Sequence, residues 1–79
     1  MALKARIESP ESLGRVLEQA RLLRGLSQRE LAHLLSTDQK YVWGLENGKS
    51  TIAIERLLRA ADVLNVTLTA EVAESDDIR

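Results

Sequence analysis

The sequence predicts a mainly helical domain, a bundle of four to five helices followed by one C-terminal β-strand. Three observations support this fold class. Aliphatic residues recur at helical spacing over residues 10–24, 27–46 and 52–64. Capping residues and glycines separate these segments at the places where helices start and stop. From Val66 to Val72 the apolar residues instead alternate with polar ones, which is the period of a strand.

Length and composition limit what the chain can be. Seventy-nine residues make one domain with a small core, so we expect self-association to add stability. The absence of cysteine excludes disulfides and thiolate chemistry, and the single histidine, His33, cannot build a zinc site by itself. The sequence shows neither a phosphate-cradling glycine loop nor triad spacing, so we expect neither an enzyme nor a bound cofactor.

No segment has the composition of a membrane anchor or a signal peptide. No apolar run approaches the roughly 18 residues that a membrane span needs. Residues 1–8 lack the apolar block of a secretion signal. We therefore expect a cytoplasmic protein that does not bind membranes.

The net charge of −1 is unevenly distributed. Residues 1–70 contain ten Lys/Arg and eight Asp/Glu, whereas residues 71–79 contain one Arg and four Asp/Glu. The body is therefore mildly basic and the tail is acidic. Because residues 73–79 are short, acidic and uncapped, we predict that this tail is disordered.

The first helix is predicted from Ser9 to about Arg24. Ser9 is a capping residue, and Pro10 suits the first helical position because its φ is already fixed there. Gly25 is expected to end the helix with a left-handed backbone. The residues expected to face the core are Leu13, Val16, Leu17, Ala20 and Leu23.

Two short helices joined by a tight turn are predicted between Leu26 and Lys49. Ser27 and Glu30 have the spacing of a capping box for the first, and Asp38 can cap the second. The expected inward residues are Leu31, Ala32, Leu34, Leu35, Val42 and Leu45. The outward residues of the second are Gln39, Lys40, Tyr41 and Trp43. A helix that displays amide, ammonium and aromatic groups together suits the major groove of DNA.

This stretch resembles the helix-turn-helix of the Xre family, which includes phage repressors and many bacterial antitoxins. The residues that carry the resemblance are Gln28, Leu31-Ala32, Val42 and Leu45-Glu46-Asn47-Gly48-Lys49. The resemblance implies a lambda-repressor-like bundle in which residues 9–65 form the DNA-binding domain. It also implies an ion pair between Arg21 and Glu46.

The expected partner is double-stranded DNA. With the N–H groups of its helix, Gln28 is expected to hold a phosphate. Gln39 and Lys40 are expected to contact adenine and guanine. The full set of predicted DNA-binding residues is Gln28, Gln39, Lys40, Tyr41, Trp43, Asn47 and Lys49. For Trp43, packing against the last helix remains open as an alternative.

Three positions depart from the family pattern, and one of them is Thr37, which replaces a usual aliphatic residue in the turn and should pack less well. Ser36 stands in the turn where the family usually has glycine, so a left-handed backbone there costs about 1 kcal/mol. Gly44 stands where relatives often place a base-contacting side chain. Gly44 and the low net charge support one alternative of a different class, a protein-interaction module that no longer binds DNA.

The last helix is predicted from Ile52 to about Leu64, with Thr51 as its cap and Asn65 as a left-handed end. The residues expected to be buried are Ile54, Leu57, Leu58, Ala61 and Leu64.

The strand predicted at 66–72 needs a hydrogen-bonding partner. Two partners remain open: residues 1–8, which are an arm or a short strand with Leu3, Ala5 and Ile7 alternating, and the same strand of a second copy. HipB-type antitoxins carry such a strand and dimerise through it. The resemblance therefore implies a homodimer, an inverted-repeat operator and a HipA-like kinase toxin as partner. A stand-alone regulator without a toxin is the alternative. The predicted dimerisation residues are Val66, Leu68, Ala70 and Val72.

Overall fold

The computed structural model describes residues 3–49 and 51–73. In chain order the elements are β1 (Leu3–Ile7), α1 (Pro10–Leu23), α2 (Gln28–Leu34), α3 (Gln39–Glu46), α4 (Ile52–Val63) and β2 (Leu68–Val72). The described residues thus form four helices and a two-stranded sheet, which confirms the mainly helical class. Most of the tail predicted to be disordered, residues 74–79, lies outside the described residues.

Each helix starts at the capping residue expected from the sequence. The caps are Ser9, Ser27, Asp38 and Thr51, and each side chain accepts a hydrogen bond from a backbone N–H three residues later. In the capping box of α2, the backbone N–H of Ser27 donates to Glu30 at 2.8 Å, and the Ser27 hydroxyl accepts from the Glu30 N–H at 3.0 Å. These hydrogen bonds hold the pKa of Glu30 below its ordinary value. Local sequence therefore determines where the helices begin.

The second residue after each helix has a left-handed backbone. Gly25, Ser36, Gly48 and Asn65 have φ values of 68°, 58°, 78° and 58°. The following residue donates its N–H back into the last turn, as in the 2.9 Å bond from Thr37 to the Ala32 carbonyl. Together with the bond from the left-handed residue itself, this is the Schellman arrangement, and it satisfies two of the last carbonyls in each of the four helices.

Ser36 is the position where this arrangement is strained. We expect Ser36→Gly to stabilise the fold by about 0.5–1 kcal/mol, because glycine reaches positive φ without a Cβ clash, although it is freer when unfolded. Asn65→Gly is the matched control, since asparagine tolerates the same φ and should gain less. Urea unfolding measures both changes. A Ser36→Gly variant less stable than wild type would contradict the assigned strain.

The partner of β2 is β1 of the same chain. The two strands run antiparallel, with Leu3 opposite Val72 and Ile7 opposite Leu68. Ile7 and Val72 are buried on the apolar face of this sheet. Of the two partners that the sequence left open, the structure shows the N-terminal strand paired with β2. This pairing uses one edge of each strand, and pairing of the outer edge of β2 across a dimer stays a prediction.

The predicted dimerisation residues divide accordingly. Val72 is buried, and Leu68 and Ala70 are partly buried on the same face of the sheet. Val66 precedes the strand and is 50% exposed. Three of the four side chains predicted to meet a second copy are thus already used to pack β2 within its own chain.

The core lies where α1, α2 and α3 meet. Val42 of α3 is fully buried, and Ala32 of α2 is 2% exposed. Gly14 of α1 is also buried, and a Cβ built on it would lie 2.5 Å from the Leu45 carbonyl oxygen and 2.6 Å from that of Glu46. The absence of a side chain at Gly14 therefore lets α1 approach the backbone of α3.

Several leucines predicted to face the core do not. Leu23, Leu34, Leu35, Leu57 and Leu64 are each at least 50% exposed. Their expected burial was wrong because helical spacing defines a face but does not supply an element to cover it. Within residues 3–49 and 51–73, no element packs over these five leucines.

Candidate nucleic-acid interface

The outward face of α3 is exposed as predicted from its sequence. Gln39 and Lys40 are exposed, and Tyr41 and Trp43 are 55% and 49% exposed. Beneath them the fully buried Val42 anchors the helix. The structure thus gathers polar, cationic and aromatic side chains on one surface. Trp43 lies at this surface, where about half of its side chain is exposed, so it is not fully buried against α4.

Arg21 and Glu46 join α1 to the end of α3. Arg21 Nε donates to Glu46 Oε2 at 2.6 Å, and a second guanidinium nitrogen donates to Glu46 Oε1 at 3.1 Å. A third donates to the Leu26 carbonyl at 2.8 Å. The side chains of Arg21 and Glu46 are only 9% and 1% exposed. The pair is therefore a buried, bidentate connection across the helix-turn-helix.

Glu46 remains ionised despite this burial. Burial by itself raises the pKa of Glu46, but hydrogen bonds from Arg21 and Gln28 and the charge of Arg21 outweigh it and lower the pKa. The hydrogen bond to Glu46 likewise raises the pKa of Arg21. Both groups are consequently charged at neutral pH, and each compensates the other.

The hydrogen bonds continue from this pair to the first residue of α3. Gln28 Nε2 donates to Glu46 Oε1 at 3.0 Å, and Gln39 Nε2 donates to Gln28 Oε1 at 3.2 Å. Gln28 thus connects the buried carboxylate to the exposed Gln39. Because one Nε2 hydrogen and the Oε1 of Gln39 remain unused in this chain of bonds, its amide can still donate and accept outward.

The C-terminal end of α3 carries the remaining predicted residues. The Asn47 side-chain amide donates to the Trp43 carbonyl at 2.8 Å, which caps the last turn. Lys49 follows and is exposed. A Cβ built on Gly44 would meet Lys49 Cβ at 3.5 Å, which is ordinary contact. Gly44 is thus not required by packing.

An apolar groove runs beside this face. Its lining includes Tyr41, Trp43 and Gly44 of α3, together with Leu13 of α1 and Ile54 of α4. Lys40 and Lys49 also line it. The groove leaves space for a methyl or sugar group next to the aromatic side chains.

A family model described as helix-turn-helix matches residues 17–70, which is more than half of the chain. The chain therefore belongs to the helix-turn-helix family. Membership of this family supports a role as a DNA-binding transcriptional regulator. Searches of curated proteins and of solved structures found no significant match.

Among the described residues, no helix is both long and apolar enough to cross a membrane. Across the same residues, no group of three or more His, Asp or Glu side chains is placed to hold a metal ion.

Gly14 is a residue that positions the site and that the sequence did not reveal. It has no direct role at the surface, but it sets the distance between α1 and the carbonyls at the end of α3. The available signal was a glycine inside an otherwise regular helical pattern, which often has a packing reason.

Proposed function

We propose that the protein is a sequence-specific DNA-binding repressor whose α3 enters the major groove. The observation that carries this proposal is the exposed face of α3, with Gln39 held by the Gln28–Glu46 hydrogen bonds. A side-chain amide that hydrogen bonds already hold in place loses less conformational freedom on binding than a mobile one. α3 is also anchored from beneath by Val42, so its face is presented rigidly.

The residues divide into two roles. Gln39 contacts adenine through its Oε1 and its remaining Nε2 hydrogen, and Lys40 donates to guanine. Gln28 has one free Nε2 hydrogen for a phosphate, and Lys49 binds the backbone at the other end of α3. Tyr41 and Trp43 pack on a thymine methyl or a sugar, and Asn47 positions the helix end.

The protein acts as a homodimer in this proposal. Two copies place their α3 helices about 34–36 Å apart, in successive major grooves, and bind an inverted repeat. Repression of its own operon follows when that repeat lies in the promoter.

The finer alternatives concern a toxin partner. A strand after α4, as in HipB-type antitoxins, favours an antitoxin that binds a HipA-like kinase. The pairing of β2 with β1 in one chain favours a stand-alone regulator, because the strand then has a partner without a second copy. Co-purification of the full chain with a kinase encoded beside it would support the antitoxin. A full chain that purifies without such a kinase would support the stand-alone regulator.

Electrophoretic mobility shifts test the DNA-binding proposal. We expect the full chain to prefer a palindrome near its own promoter over random DNA, with affinity that falls steeply as salt rises. Equal binding to both sequences would remove the specific-repressor proposal. No binding to either would support a protein-interaction module instead.

Two substitutions separate the proposed roles. Gln39→Ala should lose roughly 1–3 kcal/mol of discrimination at one base pair, whereas Lys49→Ala should weaken binding to all sequences about equally and flatten the salt dependence. Competition with operator variants at several salt concentrations measures both effects. Loss of sequence discrimination in Lys49→Ala would contradict this division.

A further inference from the structure

α4 has two apolar faces, and only one of them is packed. Ile54, Leu58 and Ala61 are partly buried toward the rest of the chain. A second row, on the outer side of the helix, consists of Ala53, Leu57, Ala60 and Leu64, which we call the α4 seam. All four are exposed, Leu57 by 60% and Leu64 by 70%. No residue of α4 is fully buried.

The spacing of the α4 seam is that of a helix–helix interface. Its members are separated by four, three and four residues, the alternation that keeps side chains in one row along a packed helix. Small and large residues alternate along this row. This alternation determines whether a parallel or an antiparallel helix can pack against the row.

We propose that the α4 seam is a homodimer interface, in which the α4 helices of two copies pack antiparallel about a two-fold axis. When the row is reversed, Leu57 lies opposite Ala60 of the second copy, and Leu64 lies opposite Ala53. Every large side chain then meets a small one, so the seam is complementary to itself, as a two-fold interface requires. A parallel pair would instead place leucine on leucine and leave a gap between alanines.

The size and charge of the surface fit this occupant. Val63 lies next to the seam on the helix and is 67% exposed, and Val66, which follows the end of α4, is 50% exposed. With Leu57 and Leu64 they offer on the order of 400 Å² of apolar area, taking roughly 100 Å² for each exposed aliphatic side chain. This is about the apolar share of the roughly 800 Å² per partner that a stable interface buries.

Electrostatics do not oppose the pairing. The seam itself has no charged residue, and the two acidic residues of α4 are balanced by Arg56 and Arg59. Antiparallel helices also place opposite ends of their macrodipoles together. The apolar face of β2, by contrast, is already packed within its chain, where Val72 is 8% exposed.

Sedimentation equilibrium of the full chain tests the interface. We expect a wild-type dimer and at least a tenfold higher dissociation constant for Leu57→Glu. Leu22→Glu is the matched control, because Leu22 is 54% exposed on α1 and should leave the dimer intact. Both sites are exposed, so circular dichroism should show unchanged helix content. A monomeric wild type, or a Leu57→Glu variant that dimerises normally, would overturn the proposal.

A swap of large and small residues tests the antiparallel direction. Leu57→Ala and Ala60→Leu should each weaken the dimer, the first by leaving a gap and the second by placing leucine against leucine. The double variant should recover affinity, because a leucine again lies opposite an alanine in each layer. A tighter dimer for Ala60→Leu alone would indicate parallel helices and overturn the arrangement.

Only the expected effect of this interface on DNA binding rests on the proposed function. Leu57→Glu should lose the preference for an inverted repeat over a single half-site while keeping half-site binding. A wild-type dimer that depends on the seam but binds no DNA would support this inference and refute the proposed function. A monomer that binds half-sites specifically would overturn this inference alone.

Discussion

Glu46→Ala is expected to destabilise the protein by about 3–5 kcal/mol, because it leaves the guanidinium of Arg21 buried without its counter-charge. The side chain of Arg21 is only 9% exposed, so solvent cannot replace the lost carboxylate easily. A 79-residue domain has a total stability of roughly 4–12 kcal/mol, so the variant should be close to unfolding at room temperature. Urea unfolding followed by circular dichroism measures the change.

Glu46→Gln is the matched control, since it removes the charge but keeps the side-chain shape and an acceptor for Arg21. It should cost less than Glu46→Ala. Because the pKa of Glu46 is lowered on folding, its ionisation stabilises the fold above its ordinary value of 4.5, and this contribution falls as pH decreases below that value. An alanine variant within 1 kcal/mol of wild type would contradict the buried pair.

Gly14→Ala is the second substitution with a large expected effect. Helix propensity alone predicts a gain of roughly 1 kcal/mol for alanine over glycine inside a helix. The added Cβ would instead lie 2.5 Å from the Leu45 carbonyl oxygen and 2.8 Å from the Glu46 carbonyl carbon. Because both are backbone atoms, α1 and α3 must move apart, and we expect a net loss of about 1–3 kcal/mol.

Gly44→Ala provides the control for this effect. Gly44 is also inside a helix, but its added Cβ meets nothing nearer than Lys49 Cβ at 3.5 Å. The same substitution should therefore stabilise the protein by up to about 1 kcal/mol. Thermal unfolding of the two variants side by side should show shifts of opposite sign. Shifts of the same sign would show that packing at Gly14 does not limit the approach of the helices.

The sequence could predict what local chemistry determines. The caps at Ser9, Ser27, Asp38 and Thr51 follow from side-chain hydrogen bonding within three residues. The left-handed ends follow from glycine, from asparagine and, at Ser36, from the family pattern of the turn. The exposed face of α3 follows from helical spacing around Val42, which decides which side chains point outward.

The sequence could not predict what depends on the arrangement of elements in space. Alternation at 66–72 predicted a strand, but either of the two available partners could satisfy its backbone hydrogen bonds. Helical spacing predicted burial for Leu57 and Leu64, but the described chain has no element that covers them. The role of Gly14 likewise depends on the angle at which α3 crosses α1, and no local pattern encodes that angle.

The central claim is that the outward face of α3 contacts DNA bases. An NMR titration of the isotope-labelled full chain with its palindromic promoter DNA tests it most directly. We predict the largest amide shift changes at Gln39, Lys40, Tyr41 and Trp43, with side-chain amide changes at Gln28 and Gln39. Changes concentrated on β1 and β2, with α3 unperturbed at saturating DNA, would contradict the account.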